Sequence, residues 1–276
     1  MRFYVVGFLE SVKFSTELKK LNMQKGQRLW SREELILAIN LYCKLPFGKI
    51  HTRNQDVINL AKLINRTPGS VAYKLVNFAS LDPSLQARGI KGAYNTSKLD
   101  RAVWEDFYQN WEEAAYQSEI LLDKYRNGLS IQNQENTASL KEGKDQSILS
   151  KTRINQHFFR NTILASYNNT CCITGIQEKE LLIAGHILPW SQSKENRLNP
   201  RNGLLINNLH DKAFENGLFT ITPDYRIVVS NRLRLSKSSA IKSFFLTYHD
   251  KQIILPSKFL PDPEFLKYHN KERFRE

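Results

Sequence analysis

A polar stretch near the middle of the chain limits its architecture more than any other feature. Residues 126–150 (RNGLSIQNQENTASLKEGKDQSILS) are rich in Asn, Gln, Ser, Gly and charge and hold few large apolar side chains. Such a stretch buries too little surface to offset the entropy of ordering it. It predicts a linker over 126–152 between two domains, 23–125 and 153–276, and 276 residues at roughly 100–200 per domain agree with two. The segment opening at Met23 (QKGQRLWSREEL) reads like a natural start, so residues 1–22 are expected to be a non-native extension that does not pack.

Before the polar stretch the apolar spacing is helical. Trp30, Leu35, Leu37, Ala38, Leu41, Tyr42 and Leu45 share one face, and Ser31 with Glu34 has the form of a capping box. Pro46 stops this helix. A second is expected near Asp56–Ile64, and a third near Gly69–Ala79, with Thr67 as cap and Pro68 at its first position. Val71, Leu75 and Phe78 face inward, so Ser70, Tyr73, Lys74 and Asn77 are expected on the outward face. Helix, short turn, helix is the helix-turn-helix pattern. It is similar to trihelical Myb/SANT-like or homeodomain-like modules, which would set Arg66, Ser70, Tyr73, Lys74 and Asn77 against DNA. One further helix, Leu99 to about Tyr125, should close the domain with Trp104, Phe107, Tyr108 and Trp111 in its core stripe.

Charge and cysteine narrow the class of function. Forty Lys and Arg stand against 27 Asp and Glu, a net +13, of which residues 153–276 carry +7. That excess points to a polyanion, usually nucleic acid. Cys43, Cys171 and Cys172 allow no disulfide framework and no four-cysteine zinc site, so a reducing cytoplasm is the expected location. There is no apolar run of about 18 residues to span a membrane. The apolar run Phe3–Leu9 is followed by no small-residue cleavage site.

The chemistry is expected after Arg153. Ile154, Phe158, Phe159, Ile163, Leu164 and Tyr167 predict an amphipathic helix, and Asn168-Asn169-Thr170 a turn. Then come Cys172-Ile173-Thr174-Gly175, an apolar strand running through Ala184-Gly185-His186-Ile187-Leu188-Pro189-Trp190, a polar loop, Asn202-Gly203 opening a second strand, and a helix beginning Leu209-His210-Asp211-Lys212-Ala213-Phe214. A hairpin (Gly217–Ile221, Ile227–Val229) and a terminal strand and helix (Ile253–Phe274) follow.

This order strongly resembles the His-Asn-His (HNH) endonucleases with their ββα-metal motif. The resemblance runs from about Arg153 to the C-terminus. It implies a C-terminal HNH nuclease domain, which together with the all-helical, helix-turn-helix-like N-terminal domain read from the helical spacing makes an α+β chain. Phosphodiester hydrolysis needs an activated water, and a neutral imidazole can take its proton near neutral pH. The resemblance makes His186 that base, Asn202 the residue orienting backbone and base, and His210 the helical ligand of a divalent metal ion: Mg, with Mn, Ni or Zn as alternatives. Many HNH nucleases carry an acid immediately before the catalytic His. Here Gly185 stands there, so the missing ligand is expected from Asp211, Glu215 or solvent.

Arg226, Arg232, Arg234, Lys237 and Lys242 lie between Asp224 and Asp250 with no acid among them. This suggests a phosphate-tracking surface, with Arg232, Arg234 and Lys237 as DNA contacts. The expectation is a metal-dependent restriction or phage-defence endonuclease acting on double-stranded DNA, as a homodimer because one site cuts one strand. The alternatives are a DNA-binding protein with an inactive nuclease domain and an RNA or single-strand nuclease.

Overall fold

The computed structural model describes residues 28–90, 96–127 and 143–276. The expected extension 1–22 lies outside them. The described chain is mostly helical, with two small antiparallel sheets. Helix α1 (Arg32–Lys44) has Glu33 and Glu34 in its first turn and Lys44 in its last, as the helix dipole favours. Asn54 caps α2 (Gln55–Leu63) by accepting from the Asp56 and Val57 amides. Thr67 caps α3 (Pro68–Ala79) as the sequence predicts, with Pro68 at the first position. Asp82 caps the short α4 (Pro83–Ala87), and Ser97 with Asp100 forms a capping box for α5 (Lys98–Gln109).

The single closing helix expected over Leu99–Tyr125 is two. Asn110, at φ −144°, ends α5 and caps α6 (Trp111–Arg126) through the Glu113 amide. An Asn can serve as both stop and start because its side chain replaces a backbone partner.

The expected linker is helical at its C-terminal end. Helix α7 runs over Gly143–Ser166, so 143–152 belong to it, whereas 128–142 lie outside the described residues. Asn168 and Asn169 follow in left-handed conformation (φ 51° and 56°), where Asn is the tolerated non-glycine residue. Strands β1 (Leu182–His186) and β2 (Gly203–Asn207) pair antiparallel from Leu182↔Asn207 to His186↔Gly203. Helix α8 (Asn208–Glu215) follows at once, then the hairpin of β3 (Phe219–Ile221) and β4 (Ile227–Val229). Two short helices, α9 (Asn231–Arg234) and α10 (Ser239–Phe244), and α11 (Pro263–Glu272) complete the chain. Near Ile253 the expected strand is reduced to a bridge between Arg226 and Gln252. No helix of the described residues is long and apolar enough to cross a membrane.

Glu33 to Glu276 form one compact unit, and its core shows why. Phe259, from the C-terminal segment, stacks on Trp104 (6.4 Å, 16°) and meets Tyr42 and Trp111 edge-on. Its neighbour Lys258 is fully buried. The Lys258 Nζ donates to the carbonyls of Tyr42, Cys43 (3.0 Å) and Leu45 (2.9 Å), which α1 leaves unsatisfied at its end. The N-terminal helical half and the C-terminal half are therefore built around one shared aromatic core.

Candidate active site

Helix α7 carries the sheet. Phe158, Phe159 and Ile163 are buried, as are Leu204, Leu205 and Ile206 of β2. Contact is closest at Gly203, where a Cβ would lie 2.3 Å from Ile163 Cδ1 and 2.9 Å from Phe159 Cζ. Only glycine lets the strand sit at this depth on the helix. His186 pairs with Gly203 in the register, so the same closeness brings the Phe159 ring against its imidazole, 4.3 Å between centroids and 9° from parallel. Trp190 meets the imidazole edge-on at 5.4 Å.

The environment of His186 fixes its chemistry. Its Nε2 lies 2.8 Å from the carbonyl oxygen of Arg197. A carbonyl only accepts, so the proton sits on Nε2 and Nδ1 carries the lone pair. Burial lowers the imidazole pKa from its ordinary value, against a smaller rise from the Arg197 carbonyl. The ring is thus a neutral base with one nitrogen oriented and the other available.

Asn202 holds that arrangement. Its side chain accepts from the Leu188 amide (2.7 Å) and donates to the carbonyls of Leu188 (3.3 Å) and Asn196 (3.1 Å). Its own carbonyl accepts from the Ile187 amide. Arg197 adds a bond from Nε to the Trp190 carbonyl and places its guanidinium over the Trp190 ring. The loop that supplies the His186 partner is therefore clamped from both ends.

His210, expected as a metal ligand, is held by protein groups in the structure. It is buried, with Nδ1 3.0 Å from Asn207 Oδ1 and Nε2 2.7 Å from the Phe244 carbonyl oxygen. Phe219, Phe245 and Tyr248 surround its ring. Both nitrogens face protein oxygens, so neither is turned toward an ion. Here His210 ties α8 to α10.

Asp211 stands over β1. A Cβ on Gly185 would be 2.4 Å from its Oδ1, so the carboxylate fills the place of a side chain at position 185. Burial, then Glu215, pushes its pKa up to about 6, with Lys212 opposing. Successive strand residues point to opposite faces, so Asp211 lies on the α8 face and His186 on the α7 face. Among the described residues no group of three or more His, Cys, Asp or Glu could hold a metal ion. The donors as placed do not fit a protein-held metal: one carboxylate is available and the expected imidazole is engaged.

The expected DNA-reading face of α3 also needs correction. Lys74 and Asn77 point inward, with Lys74 Nζ 3.0 Å from both carboxylate oxygens of Asp100 and Asn77 Nδ2 3.2 Å from one of them. Arg66 forms a buried ion pair with Glu34, Nη2 to Oε2 at 2.7 Å. Tyr73 is exposed and Ser70 half-buried, its amide donating to Thr67. Arg232, Arg234 and Lys237 are exposed, as expected.

Sequence reasoning missed the Phe159 platform, the Arg197 carbonyl and the seat of Asp211. For the last, Gly185 inside a strand was a signal of close approach.

A comparison with curated proteins found no match for the chain. Residues 171–222, which span β1, the clamped loop, β2 and α8, match the model of a family described as HNH endonuclease, so the C-terminal part of this chain carries an HNH endonuclease domain.

Proposed function

We propose that the chain is an endonuclease that hydrolyses phosphodiesters of double-stranded DNA, with His186 as general base. The observation that carries this reading is the imidazole at the end of β1, neutral, with Nε2 held by Arg197 and Nδ1 presenting its lone pair, within the segment that matches the HNH model. An HNH domain implies a nucleic-acid substrate, and the net charge of +13 suits one.

In the proposed reaction His186 Nδ1 takes a proton from water as the water oxygen bonds to phosphorus. The P–O3′ bond breaks, the departing 3′-oxygen takes a proton from solvent water to leave a 3′-hydroxyl and a 5′-phosphate, and His186 returns its proton to solvent. Asn202 acts at one remove, as a positioning residue that keeps the Arg197 carbonyl on Nε2. HNH nucleases generally use a divalent metal ion, which polarises the phosphate when bound. Asp211 is the carboxylate nearest to such a role, and His210 is not available for it. A restriction or phage-defence role and a homodimer that cuts both strands belong to the same proposal.

The test is cleavage of plasmid and oligonucleotide duplexes by the chain and by His186→Ala. Losing a general base costs about 10²–10⁴ in rate, so the variant should bind DNA normally and cut at that reduced rate or not at all. Cleavage by His186→Ala at the parent rate would overturn the assignment. A second reading has two specific observations behind it. The engaged His210 and the lack of a three-donor cluster among the described residues favour a DNA-binding protein with an inactive HNH domain. That reading expects tight binding and no cleavage with any of Mg²⁺, Mn²⁺, Ni²⁺ or Zn²⁺.

A further inference from the structure

The segment 231–244, which holds α9 and α10, combines three features. The first is unpaired charge. Arg226 is engaged by Asp224 and Asp250, but Arg232, Arg234, Lys237 and Lys242 are exposed and form no ion pair among the described residues. The second is exposed apolar surface in the same segment: Leu235 is 83% and Phe244 52% exposed. The third is rigidity behind the ring. The Phe244 carbonyl accepts from His210 Nε2 at 2.7 Å, and the next residue, Phe245, is buried with its ring 5.0 Å from that of His210.

A half-exposed phenylalanine on a fixed mount, in a segment whose exposed cations form no ion pair among the described residues, suits an unpaired nucleotide. Cations follow the phosphates, and the ring offers a face to any base that has left its stack. A perfect duplex presents phosphates but no free base face. The mount leads directly to the catalytic strand, because His210 adjoins Asp211, whose carboxylate lies over Gly185, the residue before His186.

We propose that segment 231–244 is a DNA-strand-binding surface, in which Arg232, Arg234, Lys237 and Lys242 take phosphates and Phe244 stacks on an unpaired base. The substrate is then gripped with one nucleotide out of the stack. The choice of DNA rests on the nuclease reading above; the binding itself is measured without cleavage.

The test is fluorescence anisotropy with the His186→Ala chain, alone and combined with Phe244→Ala, Phe244→Leu or Phe244→Trp. The probes are a DNA strand, the same strand built of abasic sites, a perfect duplex, a duplex with one unpaired base, and an RNA strand. Removing one base–aromatic stack weakens affinity about 5- to 150-fold. Phe244→Ala and Phe244→Leu should show that loss on the DNA strand and the bulged duplex, with no change on the abasic strand, and Phe244→Trp should bind as well as Phe. Arg232→Gln/Arg234→Gln/Lys237→Gln should reduce the slope of log affinity against log salt by about 2 on the single strand. Equal weakening on abasic and intact strands would overturn the stacking assignment, as would parent-like binding by Phe244→Ala. Tighter binding of RNA than of any DNA probe would overturn the substrate. If these affinities hold while the unsubstituted chain cuts nothing, the nuclease reading fails and the surface stands.

Discussion

Gly203→Ala tests whether the depth of β2 on α7 sets the position of His186, the proposed general base. The new methyl would lie 2.3 and 2.8 Å from Ile163 Cδ1 and Cγ1 and 2.9 Å from Phe159 Cζ. The obstacles belong to two buried side chains with no open space to move into, so overpacking applies, at about 1–3 kcal/mol. For a domain of 150–250 residues that is a fall in Tm of roughly 2–4 °C per kcal/mol. Two of the three closest atoms belong to Ile163, and Ile163→Ala removes both. Alone, that truncation costs about 2–5 kcal/mol as an unfilled cavity. In the double variant the methyl added at position 203 enters the vacated space, so the two costs should fall short of their sum by about 0.5–3 kcal/mol. Urea unfolding followed by tryptophan fluorescence gives the four stabilities, and cleavage assays on the same proteins give the activities. Gly203→Ala should lose activity beyond its loss of folded protein, because the displaced Phe159 ring is the one under His186. A Gly203→Ala protein as stable as the parent, or strictly additive costs, would refute this account of the contact.

Four further outcomes follow from the same structure. Gly185→Ala should destabilise the chain and reduce cleavage, since its methyl would meet Asp211 Oδ1 at 2.4 Å, and adding Asp211→Ala should restore stability but not cleavage; thermal melts and nicking assays report the two separately. Burial lowers the His186 pKa, so kcat/KM should fall only below the ordinary histidine range as the pH drops, and a pH–rate profile losing activity above pH 6.5 would contradict the base role. His269, buried and stacked on Phe214, has its pKa lowered to about 4 from 6.5. The unfolded chain then binds the extra proton first, so stability is complete above pH 6.5 and is lost as the pH falls toward 4, by at most about 3 kcal/mol; Tm measured against pH should show this slope, and His269→Gln should flatten it. Lys258→Met should cost about 2–5 kcal/mol in urea unfolding, because it leaves the carbonyls of Tyr42, Cys43 and Leu45 buried without donors.

Local chemistry is legible in the sequence and distant partners are not. Thr67 and Pro68 mark the start of α3 because capping is settled within four residues. His186 and Asn202 stand out because strand ends and the loop between them are close in sequence, and the structure joins both to one clamped loop. Periodicity puts Lys74 and Asn77 outward because it sees only the stripe of its own helix. Asp100, 26 and 23 residues away, turns them inward. The resemblance makes His210 a metal ligand, and nothing nearby in sequence announces the Phe244 carbonyl 34 residues later. The break at Asn110 is hidden by the aromatic stripe Trp104, Phe107, Tyr108 and Trp111, which continues through it.

The reach of Lys258 into the helical half has a consequence for synthesis. Its bond to the Tyr42 carbonyl spans 216 residues, so α1 emerges from the ribosome long before the group that caps it. The helical half gains this cap only once nearly the whole chain has been made. A fragment ending at Arg126 would expose Tyr42, Trp104 and Trp111 without Phe259 to cover them. Two fragments divided between Arg126 and Gly143 should instead find each other in solution and reassemble.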